Sequence, residues 1–317
     1  MKMKRTVLAL QPLLEGEMDQ LEQSYNVLRL WEANDPIALI KKHVYDIQAI
    51  LSTYNSSGVS ERLISALPNL EVIVQFGVGF DNIDLAAAKT RGIAVTNTPD
   101  VLTDDTADVA MYLMLNVARR AVEADMFVRV GRWQSGAMPL STSISGKTVG
   151  IVGLGQIGRA IARRSAAFNT NVVYHSRSKK DVDYTYYEDL EKMANDSDFL
   201  IVACAGGPET QNLITHKILE ALGPNGFLIN IARGSVVNED DLMIALKNQT
   251  IAGAGLDVFA NEPDVPEEMV KMDNVVLSPH VGSATIETRS KMGQLVIDNL
   301  NAYFEGQPLL TPVKIAS

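Results

Sequence analysis

The chain has 317 residues, and 28 Lys and Arg against 38 Asp and Glu give a formal net charge of −10 with His neutral. Hydrophobic residues at 46% and charged residues at 21% are ordinary globular material, enough for about two domains, which excludes a disordered or fibrous chain. The acidic balance, without any Lys/Arg-rich block, argues against nucleic acid or an anionic membrane as partner, since both need a basic footprint. A single cysteine, Cys204, can form neither an internal disulfide nor a multi-cysteine metal site, so no metal is expected and a reducing, intracellular setting fits. The N-terminal stretch Met1–Leu10 is basic and then apolar, but Gln11-Pro12 ends it and acidic residues follow, so it reads as a first strand and not an export signal. No apolar run approaches the roughly 18 residues of a membrane span. The expectation is a soluble, cytoplasmic protein.

Short apolar runs alternate with longer amphipathic ones, the pattern of βα units around parallel sheets. Thr6–Leu10, Val27–Trp31, Ile47–Leu51, Glu71–Gln75 and Ile93–Thr96 read as five strands of a first sheet, with helical candidates at Pro36–His43 and Ser60–Ala66. Asn97-Thr98-Pro99-Asp100 then breaks regularity and marks a first boundary. From Thr103 to Val130 the spacing predicts one long helix with Thr103 as its cap, followed by a Gly- and Pro-containing loop at Gly131–Leu140. Six further strands follow at Thr148–Val152, Asn171–Tyr174, Phe199–Ala203, Phe227–Ile231, Gly253–Val258 and Val275–Leu277, as in a doubly wound nucleotide domain. A last helix is expected from about Thr285 to Phe304.

Gly153-Leu154-Gly155-Gln156-Ile157-Gly158 fits G-x-G-x-x-G, and its context gives the match weight: it leaves the strand Thr148–Val152 and opens a helix. The first glycine makes the tight turn, the second admits a pyrophosphate to the backbone, and the third allows close helix–strand packing. Enzymes that use NAD place an acidic residue at the end of the next strand to bind the ribose 2′-OH. Here that strand runs into His175-Ser176-Arg177-Ser178-Lys179-Lys180, with no carboxylate before Asp181. Arg177, Ser176, Ser178 and Lys179 can hold a 2′-phosphate, which favours NADP. A solvated loop that tolerates NAD is the competing reading.

Three residues fall just beyond the carboxyl ends of successive strands, the edge where ligands bind in open α/β sheets. They are Arg233, Glu262 and His280. Singly, each reads as a surface charge or a satisfied histidine. Together they offer a cation for an anionic substrate, an acid/base group, and a carboxylate to orient that group and favour its charged form.

With Val152–Gly158, Asn230-Ile231-Ala232-Arg233-Gly234, Gly255–Phe259 with Glu262-Pro263, and Ser278–Thr285 in this order, the chain resembles the D-isomer-specific 2-hydroxyacid dehydrogenase family over essentially its whole length. The loop Ser176–Lys180, the segment Asp183–Tyr187 and the ending Pro308-Leu309-Leu310-Thr311-Pro312 are similar to its NADP-dependent glyoxylate/hydroxypyruvate and hydroxyphenylpyruvate reductase branch. The resemblance implies hydride transfer from NADPH to a 2-oxo acid. Arg233 would pair with the substrate carboxylate, and His280, backed by Glu262, would donate the proton. Backbone N–H groups at Val78 and Gly79 would hold the carboxylate, Asp257 the nicotinamide carboxamide, and Cys204, Ile231, Ala232, Gly282 and Thr106 would line the cofactor.

The resemblance also implies a Rossmann cofactor domain, about 98–286, inserted into a flavodoxin-like substrate domain made of 1–97 and 287–317, with a cleft between them. A homodimer through the cofactor domains is implied, with Trp133 and Met138 in the arm that reaches toward the partner; Trp133 as core packing stays open. His43, His175 and His216 have no recognisable partners in the sequence. The first-domain loops Thr53–Ser57 and Phe76–Phe80 are expected to set substrate size. Among rivals within the family, formate dehydrogenases pair the histidine with glutamine, which Glu262 argues against. Phosphoglycerate dehydrogenases share the triad but generally prefer NAD, and the acidic ribose-binding residue is missing here; a D-lactate- or phenyllactate-forming enzyme using NAD is the nearer rival. Outside enzymes, dinucleotide-sensing corepressors keep the triad and bind proteins instead.

Overall fold

The structure is a computed structural model and describes residues 4–54 and 58–314. The chain divides into two compact units, one of Met1–Leu102 with Ser283–Ser317 and one of Thr103–Gly282, so the two ends of the sequence belong to one unit.

The first unit carries a five-stranded parallel sheet of β1 (Thr6–Ala9), β2 (Asn26–Arg29), β3 (Ile47–Thr53), β4 (Val72–Phe76) and β5 (Ala94–Thr96), in the order β2-β1-β3-β4-β5. That is the doubly wound order of flavodoxin-like folds. β1, β3 and β4 are buried almost without interruption, as strands covered on both faces by helices must be. The helices Pro36–Lys42 and Glu61–Ala66 form where expected because Asp35 and Ser60 cap them, accepting the N–H of Ala38 and of Leu63. The helix Ile286–Phe304 is capped in the same way by Thr285, which accepts from Thr288, and it packs against β4.

The second unit carries a seven-stranded parallel sheet: β6 (Thr148–Val152), β7 (Asn171–His175), β8 (Thr185–Tyr187), β9 (Phe199–Val202), β10 (Phe227–Asn230), β11 (Gly253–Leu256) and β12 (Val275–Leu277). Its order, β12-β11-β10-β9-β6-β7-β8, has the first strand in the middle and the chain winding outward to either side, the Rossmann topology with one strand added. One apolar cluster on this sheet gathers Leu200, Leu228 and Leu256 with Leu219 and Leu246; a second gathers Ile151, Ile201 and Ile229 with Leu113 and Ile161. Successive residues of a strand point to opposite faces, so the two clusters are the two sides of the sheet.

Two expectations need correction. The segment Thr103–Val130 is not one helix: Thr103–Arg119 and Ala121–Arg129 are separate, because Arg120 takes a left-handed backbone, φ 52°, and Thr103 is itself the first helical residue. The Arg120 guanidinium then bonds Glu123 in the first turn of the new helix. The sheet has seven strands, not six, since the edge strand β8 pairs with β7. The Gly131–Leu140 loop contains a short 3₁₀ turn, Arg132–Ser135, in which Trp133 is 68% exposed, so it is not core packing.

Candidate active site

The turns after β10, β11 and β12 stand side by side, because these three strands are neighbours and parallel. After β10, the buried Asn230 accepts the Ala232 N–H and donates to the Arg233 carbonyl, closing a tight turn that presents Arg233. The guanidinium donates to the Ala232 carbonyl at 2.7 Å. Gly234 is required next, since a Cβ there would strike the Phe259 carbonyl; the Arg233 turn thereby runs hard against the turn after β11.

That neighbouring turn carries Glu262. One of its carboxylate oxygens accepts the Phe259 N–H at 2.9 Å and the other lies 2.6 Å from His280 Nδ1. Burial alone would raise the Glu262 carboxyl, but the His280 hydrogen bond and charge, the Phe259 N–H and the Arg233 charge together hold it below the ordinary carboxylate value. Glu262 is therefore an anion, and Arg233, Glu262 and His280 are one electrostatic cluster.

His280 sits at φ 53°, a conformation that L residues adopt at a cost unless the surroundings impose it. Asp257 imposes it. This carboxylate, 1% exposed at the end of β11, accepts the Ser278 hydroxyl at 2.7 Å and the N–H groups of Val281 and Gly282 at 2.9 Å each, so the segment Ser278–Gly282 wraps around it. Burial pushes the Asp257 carboxyl up, against these donors and the nearby His280 charge. The helix Thr103–Arg119 adds two ties: Thr106 donates to the Gly282 carbonyl at 2.9 Å, and Tyr112 pairs with the Ser278 hydroxyl at 2.5 Å. The bracing roles of Asp257, Asn230 and Tyr112 were not read from the sequence, because they depend on bonds between turns far apart in the chain.

The glycine motif lies at the end of β6. Gly153, at φ 98°, turns so close to the next strand end that a Cβ would come 2.6 Å from the Cys204 Cα. At Gly158 a Cβ would strike the Gly153 carbonyl, but at Gly155 it would meet nothing within 4 Å. No side chain caps the helix Gln156–Ala167 that begins there. An open approach to an uncapped helix N-terminus fits a pyrophosphate, with Gly155, Gln156, Ile157 and Gly158 holding it and the buried Leu154 anchoring the loop. Cys204, Ile231 and Ala232 follow the adjoining strand ends; burial pushes the Cys204 thiol up to about 11, so it is a packing group and not a thiolate.

The Ser176–Lys180 loop follows β7. The Tyr174 hydroxyl bonds both the N–H and the carbonyl of Lys180, and Tyr186 of β8 donates to the Ser176 carbonyl at 3.2 Å. The two rings lie 5.4 Å apart, so β8 exists in part to shape this loop. Ser176 donates to the Ser178 carbonyl, Lys180 to the Ser178 hydroxyl, and exposed Arg177 pairs with Glu209 at 3.4 Å; Lys179 is exposed. The other histidines do have partners: His43 faces Asp46, the His175 ring meets the Tyr187 carbonyl, and His216 faces Asp241.

Val78 and Gly79 belong to the first unit, in the loop after β4. Of the Thr53–Ser57 loop, residues 55–57 lie outside the described residues. Among the described residues, no helix is long and apolar enough to cross a membrane.

Comparison with known proteins agrees with this architecture. The model of the D-isomer specific 2-hydroxyacid dehydrogenase NAD binding domain matches residues 111–282. Glyoxylate/hydroxypyruvate reductase A of Arabidopsis thaliana is 47% identical over 97% of this chain and 98% of its own length. Hydroxyphenylpyruvate reductase of Plectranthus scutellarioides is also 47% identical, over 97% of this chain and 98% of its own. Among solved structures, an NADPH-dependent glyoxylate/hydroxypyruvate reductase from Sinorhizobium meliloti, in complex with NADP and malonate, is similar at a TM-score of 0.92 and 43% identity, covering 99% of this chain and 100% of that one. The chain belongs to the D-isomer specific 2-hydroxyacid dehydrogenase family. It is an oxidoreductase that interconverts 2-oxo and 2-hydroxy acids, and its second unit binds a nicotinamide dinucleotide.

Proposed function

We propose that this chain reduces small 2-oxo acids, glyoxylate and hydroxypyruvate foremost and hydroxyphenylpyruvate next, to D-2-hydroxy acids with NADPH. The observation that carries the reading is the pairing of His280 Nδ1 with Glu262 at 2.6 Å in the turn adjoining Arg233. The nicotinamide dinucleotide, when bound, supplies a hydride to the keto carbon. Arg233 pairs with the substrate's anionic end and polarises the keto oxygen. Glu262 fixes the His280 ring through Nδ1, so the proton for the keto oxygen comes from Nε2; the product gains one hydride and one proton. In the reverse direction neutral His280 takes that proton back.

NADPH is preferred in this reading because the Ser176–Lys180 loop offers a guanidinium, hydroxyls and Lys179, with no carboxylate of its own. The Sinorhizobium meliloti relative, with NADP in its complex, supports it. One observation favours an NAD-using alternative: Glu209 beside Arg177 competes with a phosphate for the guanidinium. Glyoxylate, hydroxypyruvate, pyruvate, phenylpyruvate and hydroxyphenylpyruvate, each assayed with NADPH and NADH, separate the readings. Greatest kcat/KM with NADPH and a small 2-oxo acid supports the proposal; preference for NADH or for pyruvate overturns it in favour of the alternative.

We also infer a cytoplasmic homodimer. Val122, Met126 and Val130, at four-residue spacing along Ala121–Arg129 and its C-cap, are exposed, as is Trp133 in the turn that follows, an apolar face of the kind that marks a protein interface.

A further inference from the structure

Ser278 is the hub of the turn that carries His280. Its N–H donates to the Leu256 carbonyl of β11 at 2.8 Å and its carbonyl accepts the His280 N–H at 3.0 Å, so its backbone connects the strand end directly to the histidine. Pro279 has no N–H to give. The Ser278 hydroxyl, 2.7 Å from Asp257, is therefore the first donor the turn can offer that carboxylate, ahead of the Val281 and Gly282 N–H groups. Ser278 and Asp257 are 5% and 1% exposed, where an unmatched polar atom is costly.

A serine hydroxyl has a single proton. Once that proton is committed to Asp257, the contact of the Ser278 oxygen with the Tyr112 hydroxyl, at 2.5 Å, takes its proton from the tyrosine. Tyr112 keeps a proton to give: burial pushes its titration up and the Asp257 charge adds to this, against the Ser278 bond. Donation thus runs from Tyr112 to Ser278 to Asp257, three oxygens in one direction, and in a buried site such bonds strengthen one another. In the opposite sense the same chain needs a protonated, neutral Asp257. The direction matters because Asp257 and Glu262 are the carboxylates that interact with the His280 charge, and a neutral Asp257 no longer favours the imidazolium. Tyr112 itself is half-buried on the helix Thr103–Arg119, packed against the apolar cluster of Ile151, Ile201 and Ile229, which holds its ring in place.

We infer that Tyr112 is a positioning residue for proton donation, acting on His280 through Ser278 and Asp257; this rests on the reading that His280 supplies the proton.

The test uses the full chain with NADPH and glyoxylate. Tyr112→Phe keeps the ring and removes only the hydroxyl. It should lower kcat about three- to tenfold, the worth of one hydrogen bond, and leave the KM for glyoxylate within about twofold. NADPH affinity, read by direct titration, should also stay within about twofold. The solvent isotope effect on kcat should rise, because proton donation becomes slower; a tie that only holds the fold would lower Tm and leave this ratio alone. Ser278→Ala cuts the same chain, so the double variant should lose no more than about twofold beyond the larger single loss. An unchanged kcat or isotope effect in Tyr112→Phe, or losses that multiply in the double variant, overturns the role of Tyr112, while a His280→Ala enzyme that loses turnover leaves the proton-donor reading standing. Turnover retained in His280→Ala overturns both.

Discussion

Glu262 grips His280 Nδ1 with one carboxylate oxygen and the Phe259 backbone N–H with the other, so the carboxylate that orients the ring is itself fixed to the end of its own strand. Glu262→Gln keeps the shape and removes the charge. In the proposed reaction kcat/KM with glyoxylate should fall about 10²-fold or more, since an acid/base group that loses the carboxylate orienting it loses its advantage. The same pair sets a stability window. The Glu262 carboxyl is lowered on folding, so its contribution is fully present above the ordinary carboxylate value and is lost as pH falls through the lower folded value. The Tm gap between wild type and Glu262→Gln should therefore hold from pH 7 to about 5 and close on further acidification. A gap that widens in acid would show that the carboxyl is raised instead.

The glycine motif separates binding from folding. At Gly155 a Cβ meets nothing, so Gly155→Ala should leave Tm nearly unchanged and weaken nucleotide binding by about tenfold or more, read by fluorescence titration with NADPH. At Gly158 the added Cβ strikes the Gly153 carbonyl, and Gly158→Ala should destabilise the fold by about 1–3 kcal/mol, read from the Tm. Equal losses of stability in the two variants would remove the distinction.

Cofactor choice should sit on Arg177 and the tyrosines beneath its loop. Arg177→Ala should lower kcat/KM for NADPH by about tenfold or more with little effect on NADH, the loss of charge-assisted bonds to a phosphate. Tyr186→Phe removes only the bond to the Ser176 carbonyl and should lower the NADPH/NADH ratio by a few-fold in the same direction. An unchanged ratio in both variants would place the discrimination elsewhere.

The exposed face around Trp133 gives the oligomer prediction. Trp133→Arg should shift sedimentation from dimer toward monomer without lowering NADPH binding to the second unit. If wild type sediments as a monomer, the dimer proposal fails.

Much of this architecture is legible in the chain because parallel strands buried on both faces are continuous apolar runs, and because Asp35, Ser60 and Thr285 announce the helices they cap. Arg120 carried no such signal: neither Gly nor Pro marks the helix break, which is a left-handed arginine. The edge strand Thr185–Tyr187 is too short for a periodic pattern and follows the polar residues of the preceding loop. Arg233, Glu262 and His280 could be named as strand-end residues, but their common cluster depends on β10, β11 and β12 being neighbours. Asp257 is the clearest gap. The resemblance gives it only the nicotinamide carboxamide to hold; in the structure it accepts three hydrogen bonds from the segment that carries His280.

In the proposed reaction His280 supplies the proton to the keto oxygen. Steady-state kcat/KM of His280→Ala with NADPH and glyoxylate, beside a direct titration of NADPH binding, tests it most directly. The variant should lose about 10²-fold or more in kcat/KM and retain its NADPH affinity. Turnover near the wild-type rate with every 2-oxo acid of the panel would contradict it.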